Sequence, residues 1–306
     1  MKIEKLSGLI PATFTPMHQD GTLNLSAIDE YYALLIRNNI ESIFICGTTG
    51  EGELLTVDER KQIAEKWLTV SKGNKNFKVI VVVGSNRITE AIALAQHAEA
   101  NGCFGISYIS PFYYKPISAD DLLECCVKVA NATPNLPFYY YHIPILTHVK
   151  FPMIDFVGKA KNKIENFAGV KYSDEDHVDY FKCLEFENAS LNVFWGKDET
   201  LLSAISLGAV SAIGSTYNYM TPLYNEIISA FTHHDVTSAK SLQLKSIEVV
   251  NLLNKYTGLS TGKYFMKLVG VDCGPSRNPL RNLNDTDKKA LENELTAIGF
   301  SNFCMK

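Results

Sequence analysis

The feature that most constrains the fold is a series of eight short apolar runs rich in β-forming residues, separated by segments of helical periodicity. The runs begin at residues 8, 42, 78, 105, 137, 167, 192 and 209, and read GLIPATFTP, SIFICG, KVIVVVG, GISYISP, PFYYYHIP, FAGVKYS, NVFWGKD and AVSAIGSTYN. Strands covered on both faces need not alternate polar and apolar residues, so such runs indicate a parallel sheet. Eight strand–helix units predict a (β/α)8 TIM barrel.

The segments between the runs carry helix signals. SAIDEYYALLIRNN, TVDERKQIAEKWLTVSK and TEAIALAQHAEANG have helical spacing; the second begins with a capping-box pattern, Thr56 with Glu59, and the third stops at Asn101-Gly102. An open doubly wound sheet is the alternative, but it usually has a Gly-rich dinucleotide turn after its first strand. The sequence PATFTPMHQDG is not such a turn, which favours the barrel.

The strand pattern stops after about residue 222. SAKSLQLKSIEVVNLLNKYTG and DTDKKALENELTAIGF, farther along the chain, are typical of helices. No Pro/Gly/Ser-rich linker separates them from the eight runs. We therefore expect residues 1–222 to form a barrel that carries the active site, and residues 223–306 to form a C-terminal helical region packed on it.

Composition excludes several classes of protein. With 46% hydrophobic residues, 20% charged residues and a formal charge of −4 over 306 residues, the chain is typical of a globular protein and has no basic surplus for nucleic acid. The opening MKIEKLSGLIPATFTP lacks a signal-peptide core, and no apolar run reaches membrane length. We expect a cytoplasmic protein with no membrane partner.

Cysteine and histidine spacing gives no metal or disulfide pattern. The seven cysteines are an odd number without a C-x-x-C pair, which argues against a disulfide framework and a zinc ribbon. The seven histidines form no H-E-x-x-H or equivalent spacing. The sequence therefore predicts no metal site.

Lys171 is the most informative single residue, because it lies within the apolar run FAGVKYS. Burial disfavours the charged form of a lysine, and a neutral amine is a nucleophile. The alternative is a lysine whose stem lies on apolar surface while its charged end reaches water. In a barrel, the C-terminal ends of the strands build the active site, and Lys171 lies near such an end.

Other predicted strand ends carry polar groups. In GTTGEGE, the hydroxyls and backbone N–H groups of Thr48 and Thr49 suit a carboxylate or a phosphate, or else simply cap a tight turn. In YYYHIP, strand alternation places Tyr139 and Tyr141 on one face and Tyr140 on the other. Tyrosines at such positions often only pack, but a phenol beside Lys171 could relay a proton during carbonyl chemistry.

The last two strand ends supply acceptors and hydroxyls. Asp198 and Glu199 in WGKDE could hold substrate hydroxyls, or form a solvated acidic turn at a helix N-terminus. Gly214 in IGSTYN allows close backbone approach, and Ser215 and Thr216 add hydroxyls. Together these ends predict a polar site around Lys171.

The motifs GTTGE, YYYHIP, GVKYSD, WGKDE and GSTYN, in this order, resemble the N-acetylneuraminate lyase and dihydrodipicolinate synthase superfamily of Schiff-base barrel enzymes. The resemblance covers nearly the whole chain. Within the superfamily, FYYYHIP with WGKDE and GSTYN is most similar to the N-acetylneuraminate lyase family. It implies class I aldolase chemistry with no metal or organic cofactor.

The resemblance also implies residue roles. Lys171 would form an imine with the C2 ketone of sialic acid, and cleavage would give N-acetylmannosamine and pyruvate. Tyr141 would exchange the C4-hydroxyl proton, and Thr48 and Thr49 would bind the carboxylate. Four further residues match positions that hold the polyol tail: Gly196, Asp198, Glu199 and Ser215. Tyr113 matches a tyrosine that contributes near the site, in some relatives from a neighbouring subunit. Relatives are commonly tetramers, so we expect a homotetramer.

Departures from the family pattern narrow the function. Dihydrodipicolinate synthases carry an arginine shortly after strand five, where this chain has Ile145 and Leu146, so that activity is disfavoured. His148 stands where many lyases have glycine, which could narrow the entrance. Two alternatives stay open: a related aldolase acting on 2-keto-3-deoxy sugar acids such as 2-keto-3-deoxygluconate, and a catalytically silent sugar-acid sensor.

Overall fold

The eight apolar runs form eight parallel strands in the computed structural model, which describes residues 3–306. The strands are β1 Gly8–Pro11, β2 Ser42–Ile45, β3 Lys78–Val82, β4 Gly105–Ile109, β5 Phe138–His142, β6 Phe167–Tyr172, β7 Asn192–Trp195 and β8 Ser211–Gly214. They follow the order β1-β8-β7-β6-β5-β4-β3-β2. A parallel bridge between Ala12 and Phe44 joins the two ends, so the sheet closes on itself and the predicted TIM barrel is confirmed.

Helices follow the strands and cover the outside of the barrel. They are α1 Ala27–Arg37, α2 Val57–Val70, α3 Ile88–Ala100, α4 Ala119–Asn131, α5 Pro144–Thr147, α6 Met153–Lys163, α7 His177–Glu185, α8 Leu201–Ser206, α9 Tyr217–Thr232, α10 Val236–Lys255, α11 Leu259–Leu268 and α12 Asp285–Ala297. The capping box at Thr56 and Glu59 is confirmed at the start of α2. The predicted stop of α3 is also confirmed: Asn101 caps it, and Gly102 follows with φ of 76°.

Two apolar clusters fill the molecule, one inside the barrel and one between the strands and the helices. Tyr139 and Tyr141 belong to the inner cluster and Tyr140 to the outer one, as alternation along β5 predicted. Side chains at odd positions near the end of β5 therefore point into the barrel. The same alternation along β6 turns Lys171 inward and its neighbours Val170 and Tyr172 outward.

The helices beyond α9 lie against the barrel and do not form a detached unit. Gln243 of α10 accepts the backbone N–H of Leu202 at 2.8 Å and donates to the carbonyl of Asp198 at 3.3 Å. The predicted boundary after residue 222 falls inside α9, a helix with a local break at Met220. The division into residues 1–222 and 223–306 stays a prediction. No helix within residues 3–306 combines the length and apolar character needed to cross a bilayer.

Candidate active site

A cavity of about 720 Å³ opens at the C-terminal ends of the strands, which is where barrels of this type place their active sites. Its volume is within the range of small-molecule sites. Eight of the nine residues singled out from the sequence line it: Thr48, Thr49, Tyr141, Lys171, Gly196, Asp198, Glu199 and Ser215. They come from the ends of β2, β5, β6, β7 and β8, so the closed ring of strands gathers residues that are far apart in sequence.

Lys171 lies on β6 with only 4% of its surface exposed. Its Nζ is 4.1 Å from the ring centroid of Tyr141 and 4.5 Å from that of Phe44. Lys171 is paired in register with Tyr141 on β5, which explains why the amine and the phenol ring are neighbours. The alternative of a lysine reaching bulk water is therefore wrong, and the amine faces the cavity between two aromatic rings.

Tyr141 and Thr48 place two hydroxyl groups next to each other at the cavity wall. Thr48 Oγ1 and the Tyr141 hydroxyl oxygen are 3.4 Å apart, and either hydroxyl can donate. The ring of Phe44 packs edge-on against the ring of Tyr141, with centroids 5.5 Å apart, so the phenol is held by packing. The arrangement places two hydroxyl groups, each able to donate or accept a proton, on the same cavity wall as the amine.

The loop after β2 contains two glycines, one without room for a side chain and one with little. A Cβ on Gly52 would lie 2.0 Å from the carbonyl oxygen of Cys46, and one on Gly50 would lie 3.1 Å from that of Thr13. Thr15 Oγ1 donates to the carbonyl of Gly50 at 2.7 Å. The loop is therefore fixed against the segment that follows β1, and it presents Thr48 and Thr49 to the cavity.

Asp198 is a buried carboxylate held by one partner residue. Its Oδ2 accepts the backbone N–H of Thr216 at 2.8 Å and the Thr216 hydroxyl at 2.6 Å. Burial raises the pKa of Asp198 to about 6, against the opposing effect of these hydrogen bonds. A Cβ on Gly214 would lie 1.7 Å from Asp198 Oδ1, so only glycine leaves space for the carboxylate there.

Glu199 and Ser215 line the cavity just beyond the ends of β7 and β8. Glu199 lies 3.5 Å from Lys197 Nζ, which also contacts Glu175. The carbonyl of Ser215 accepts from Asn218 Nδ2 at 2.7 Å, and the same amide donates to the carbonyl of Ala12. The acceptors on this wall are thus oriented by neighbouring side chains.

Sequence reasoning missed further residues of the cavity wall. Ser173 lines it, and its Oγ is buried with no hydrogen-bond partner within the described part of the chain. A Cβ on Gly196 would lie 2.0 Å from that oxygen, so only glycine at position 196 leaves room for the Ser173 hydroxyl where it lies. The signal was available, because Ser173 follows the last residue of β6 and is two residues beyond Lys171.

The C-terminal helices also contribute to the wall. Val250, Leu253 and Asn254 of α10 and Leu259 of α11 line the cavity. The assignment of the active site to residues 1–222 stays a prediction, and the C-terminal helical region adds these four residues to the cavity wall. His148, with φ of 54°, lies at the exposed rim of the same cavity, in keeping with its expected place at the entrance.

Tyr113 is the one singled-out residue that the structure does not bring to the cavity. It is 75% exposed and packs edge-on against Tyr114, with ring centroids 5.0 Å apart. Its backbone N–H donates to Asn86 Oδ1, which fixes the loop that projects it outward. Within one chain Tyr113 therefore does not contribute to the site, and a contribution to a neighbouring subunit stays a prediction.

An eight-stranded parallel barrel with a polar cavity at the C-terminal strand ends is the architecture of the (β/α)8-barrel enzymes. The chain belongs to the dihydrodipicolinate synthetase family, whose family model matches residues 5–298. The resemblance found from the motifs is thereby confirmed.

Relatives of known name cover almost the whole chain. A protein of Rattus norvegicus named N-acetylneuraminate lyase is 40% identical over 304 residues, covering 98% of this chain and 95% of its own length. One of Danio rerio with the same name is 42% identical over 283 residues, covering 91% and 92%. The solved N-acetylneuraminate lyase of Proteus mirabilis is 36% identical, with a TM-score of 0.94 over 97% of this chain and 100% of that chain.

Proposed function

We propose that the chain is a class I aldolase that reversibly cleaves N-acetylneuraminate into N-acetylmannosamine and pyruvate. The observation that carries this proposal is the amine of Lys171, buried between two aromatic rings and facing the cavity. Relatives named N-acetylneuraminate lyase, 40% identical over nearly the full length, support the substrate. The missing arginine after β5 disfavours the synthase reaction, because Ile145 and Leu146 offer no cation to a second carboxylate.

The reaction begins with attack of the Lys171 amine on the C2 ketone of the open-chain sugar acid. Water leaves, and a protonated imine joins Nζ to C2. The imine accepts the electron pair of the C3–C4 bond as that bond breaks, so an enamine forms and no free carbanion is needed. N-acetylmannosamine departs, the enamine takes a proton at C3, and hydrolysis releases pyruvate and the free amine.

Tyr141 is assigned the proton transfer at the C4 hydroxyl. This hydroxyl must lose its proton when the C3–C4 bond breaks and regain it in the synthetic direction. Tyr141 accepts it while its own proton passes to the substrate carboxylate, so no free phenolate has to form. The hydroxyl of Thr48, 3.4 Å from that of Tyr141, supports the relay and, with Thr49, binds the carboxylate.

The polyol tail is assigned to the wall formed by β7 and β8. Asp198 and Glu199 accept hydrogen bonds from tail hydroxyls, Ser215 adds a hydroxyl, and Gly196 allows the sugar to approach the backbone closely. These groups lie on the same cavity as Lys171, so one open-chain sugar acid can reach both.

The same mechanism needs neither a metal nor an organic cofactor, because the imine itself serves as the electron sink. The partners proposed are therefore the small molecules N-acetylneuraminate, pyruvate and N-acetylmannosamine, without nucleic acid or membrane. We further propose a cytoplasmic homotetramer in which Tyr113 contacts a neighbouring subunit.

Reductive trapping tests the proposal. Borohydride added with pyruvate should attach one equivalent of pyruvate to Lys171, and Lys171→Arg should abolish both trapping and turnover. Lys150→Arg is the matched control, since Lys150 lines the same cavity but its side chain is 63% exposed and pairs with Asp174. Trapping that persists in Lys171→Arg, or no trapping in the natural chain, would contradict the proposal.

A comparison of two substrates distinguishes an N-acetylneuraminate lyase from a 2-keto-3-deoxygluconate aldolase. N-acetylneuraminate should be turned over with a much higher kcat/KM than 2-keto-3-deoxygluconate, because the latter lacks most of the tail that the β7–β8 wall is assigned to hold. A higher kcat/KM for 2-keto-3-deoxygluconate would instead indicate an aldolase that acts on that sugar acid. Binding of N-acetylneuraminate without release of pyruvate would point to a sensor.

A further inference from the structure

A buried ion pair lies behind the loop that carries Thr48 and Thr49. Glu51 Oε1 is 2.5 Å from Nζ of Lys263 on α11, and the two side chains are 0% and 1% exposed. Lys263 also donates to the carbonyl of Pro275 at 2.8 Å. Lys263 itself is not part of the wall of the 720 Å³ cavity, so it acts on that cavity only through other residues.

Arg277 adds a second connection between the same loop and the C-terminal region. Its backbone N–H donates to Glu51 Oε2 at 2.8 Å, so both oxygens of Glu51 are held. Its guanidinium binds both carboxylate oxygens of Glu59, the second residue of the capping box of α2, and donates to the carbonyl of Leu54. The segment from Glu51 to Glu59 is thus tied at both ends to residues more than two hundred positions away.

Glu51 has a backbone conformation that needs such support. Its φ of 57° and ψ of 31° lie in the left-handed region, which is unfavourable for a residue with a side chain. Its N–H donates to the carbonyl of Thr48 at 3.1 Å and closes the turn that contains Thr49. Strained conformations of this kind persist only where the surroundings fix them. Here the contacts of the Glu51 carboxylate with Lys263 and Arg277 do so.

We infer that Lys263 is a positioning residue for the aldolase reaction. Through Glu51 it holds the turn in which Thr48 and Thr49 meet the keto-acid carboxylate and in which Thr48 reaches the hydroxyl of Tyr141. The inference rests on the proposed function for its kinetic consequence. The C-terminal helices then help to position the catalytic loop, because the ion pair of Glu51 and Lys263 joins the loop after β2 to α11.

The test compares Lys263→Met with Lys267→Met. Lys267 lies one turn farther along α11 and pairs with Asp272 at 2.8 Å, but both of those side chains are more than half exposed. In the synthetic direction, Lys263→Met should raise the KM for pyruvate about 10- to 100-fold, since small displacements of binding groups have effects of this size. Lys267→Met should leave it unchanged, because exposed pairs contribute little.

The double variant Glu51→Gln/Lys263→Met separates positioning from stability. Removing both charges should restore a melting temperature lost in Lys263→Met, because no unpaired charge stays buried. The KM for pyruvate should stay raised, and backbone amides of residues 47–54 should exchange with deuterium faster than in the natural chain. If Lys263 contributed only to stability, the double variant would recover the KM for pyruvate of the natural chain together with its melting temperature.

Two results would overturn the inference: a folded Lys263→Met or double variant with the KM of the natural chain, or one with unchanged amide exchange in residues 47–54. If Lys263→Met does not fold, the double variant decides. If the natural chain shows no borohydride trapping with pyruvate, the proposed function fails. Amide exchange then still decides whether Lys263 fixes the turn.

Discussion

Asp198→Asn removes a charge that the fold buries beside the candidate active site. Burial raises the pKa of Asp198 from 3.8 to about 6, although two hydrogen bonds from Thr216 favour the ionised form. The shift is roughly two pKa units, and each unit corresponds to about 1.4 kcal/mol. Keeping Asp198 ionised at neutral pH therefore costs the folded state about 3 kcal/mol.

The pH dependence follows from the direction of this shift. Between pH 4 and 6 the unfolded chain has lost the Asp198 proton while the folded chain still binds it. The contribution of Asp198 to stability therefore falls as pH rises through this window and is constant above it. Asparagine keeps the shape and has no such titration. We expect Asp198→Asn to gain about 2 kcal/mol relative to the natural chain between pH 4.5 and 7.5.

Urea unfolding of both chains at pH 4.5 and pH 7.5 measures this gain. Asp285→Asn is the control for removing a carboxylate from the surface, because the side chain of Asp285 is 100% exposed. The same Asp198→Asn chain should show a raised KM for N-acetylneuraminate, since an acceptor for the tail is weakened. A stability difference that is identical at the two pH values would refute the assignment of a buried, ionising Asp198.

Three further substitutions test individual groups of the site. Gly214→Ala should raise the KM for N-acetylneuraminate and lower the melting temperature, because a Cβ there would lie 1.7 Å from Asp198 Oδ1. Gly158→Ala, on α6, is the control and should change neither quantity, because its Cβ would lie 3.9 Å from the ring of Phe186, an ordinary contact distance. Tyr141→Phe should lower kcat by about 10²- to 10⁴-fold in steady-state assays while borohydride trapping with pyruvate persists. Ser173→Ala should raise the KM for N-acetylneuraminate, measured beside an unchanged melting temperature, because it removes an unpaired hydroxyl from the wall.

Most of the fold could be predicted because its signals are local. Each strand of the barrel is an apolar run bounded by turn residues, and the start of α2 follows from Thr56 and Glu59. Strand alternation was enough to separate Tyr141 from Tyr140; the structure adds that Tyr141 lies inside the barrel and Tyr140 outside it. The boundary after residue 222 was harder to place, because α9 runs through it with helical periodicity on both sides.

The candidate site was predictable only where its residues follow directly from strand ends. Lys171 and Asp198 were predicted because each lies at or just beyond the C-terminal end of a strand, and the closed barrel brings them to one cavity. The partners that orient these groups are distant in sequence, as for Glu51 with Lys263, and a single sequence gives no sign of such pairs. Tyr113 lies outside the cavity of its own chain because its loop runs outward and is held by Asn86, a contact that no local pattern indicates.

A crystal soaked with pyruvate tests the central claim most directly. The account predicts continuous electron density from Nζ of Lys171 to C2 of the keto acid, with the carboxylate within hydrogen-bond distance of Thr48 and Thr49. Density for unattached pyruvate beside an unmodified Lys171, or an imine on another lysine of the cavity, would contradict it.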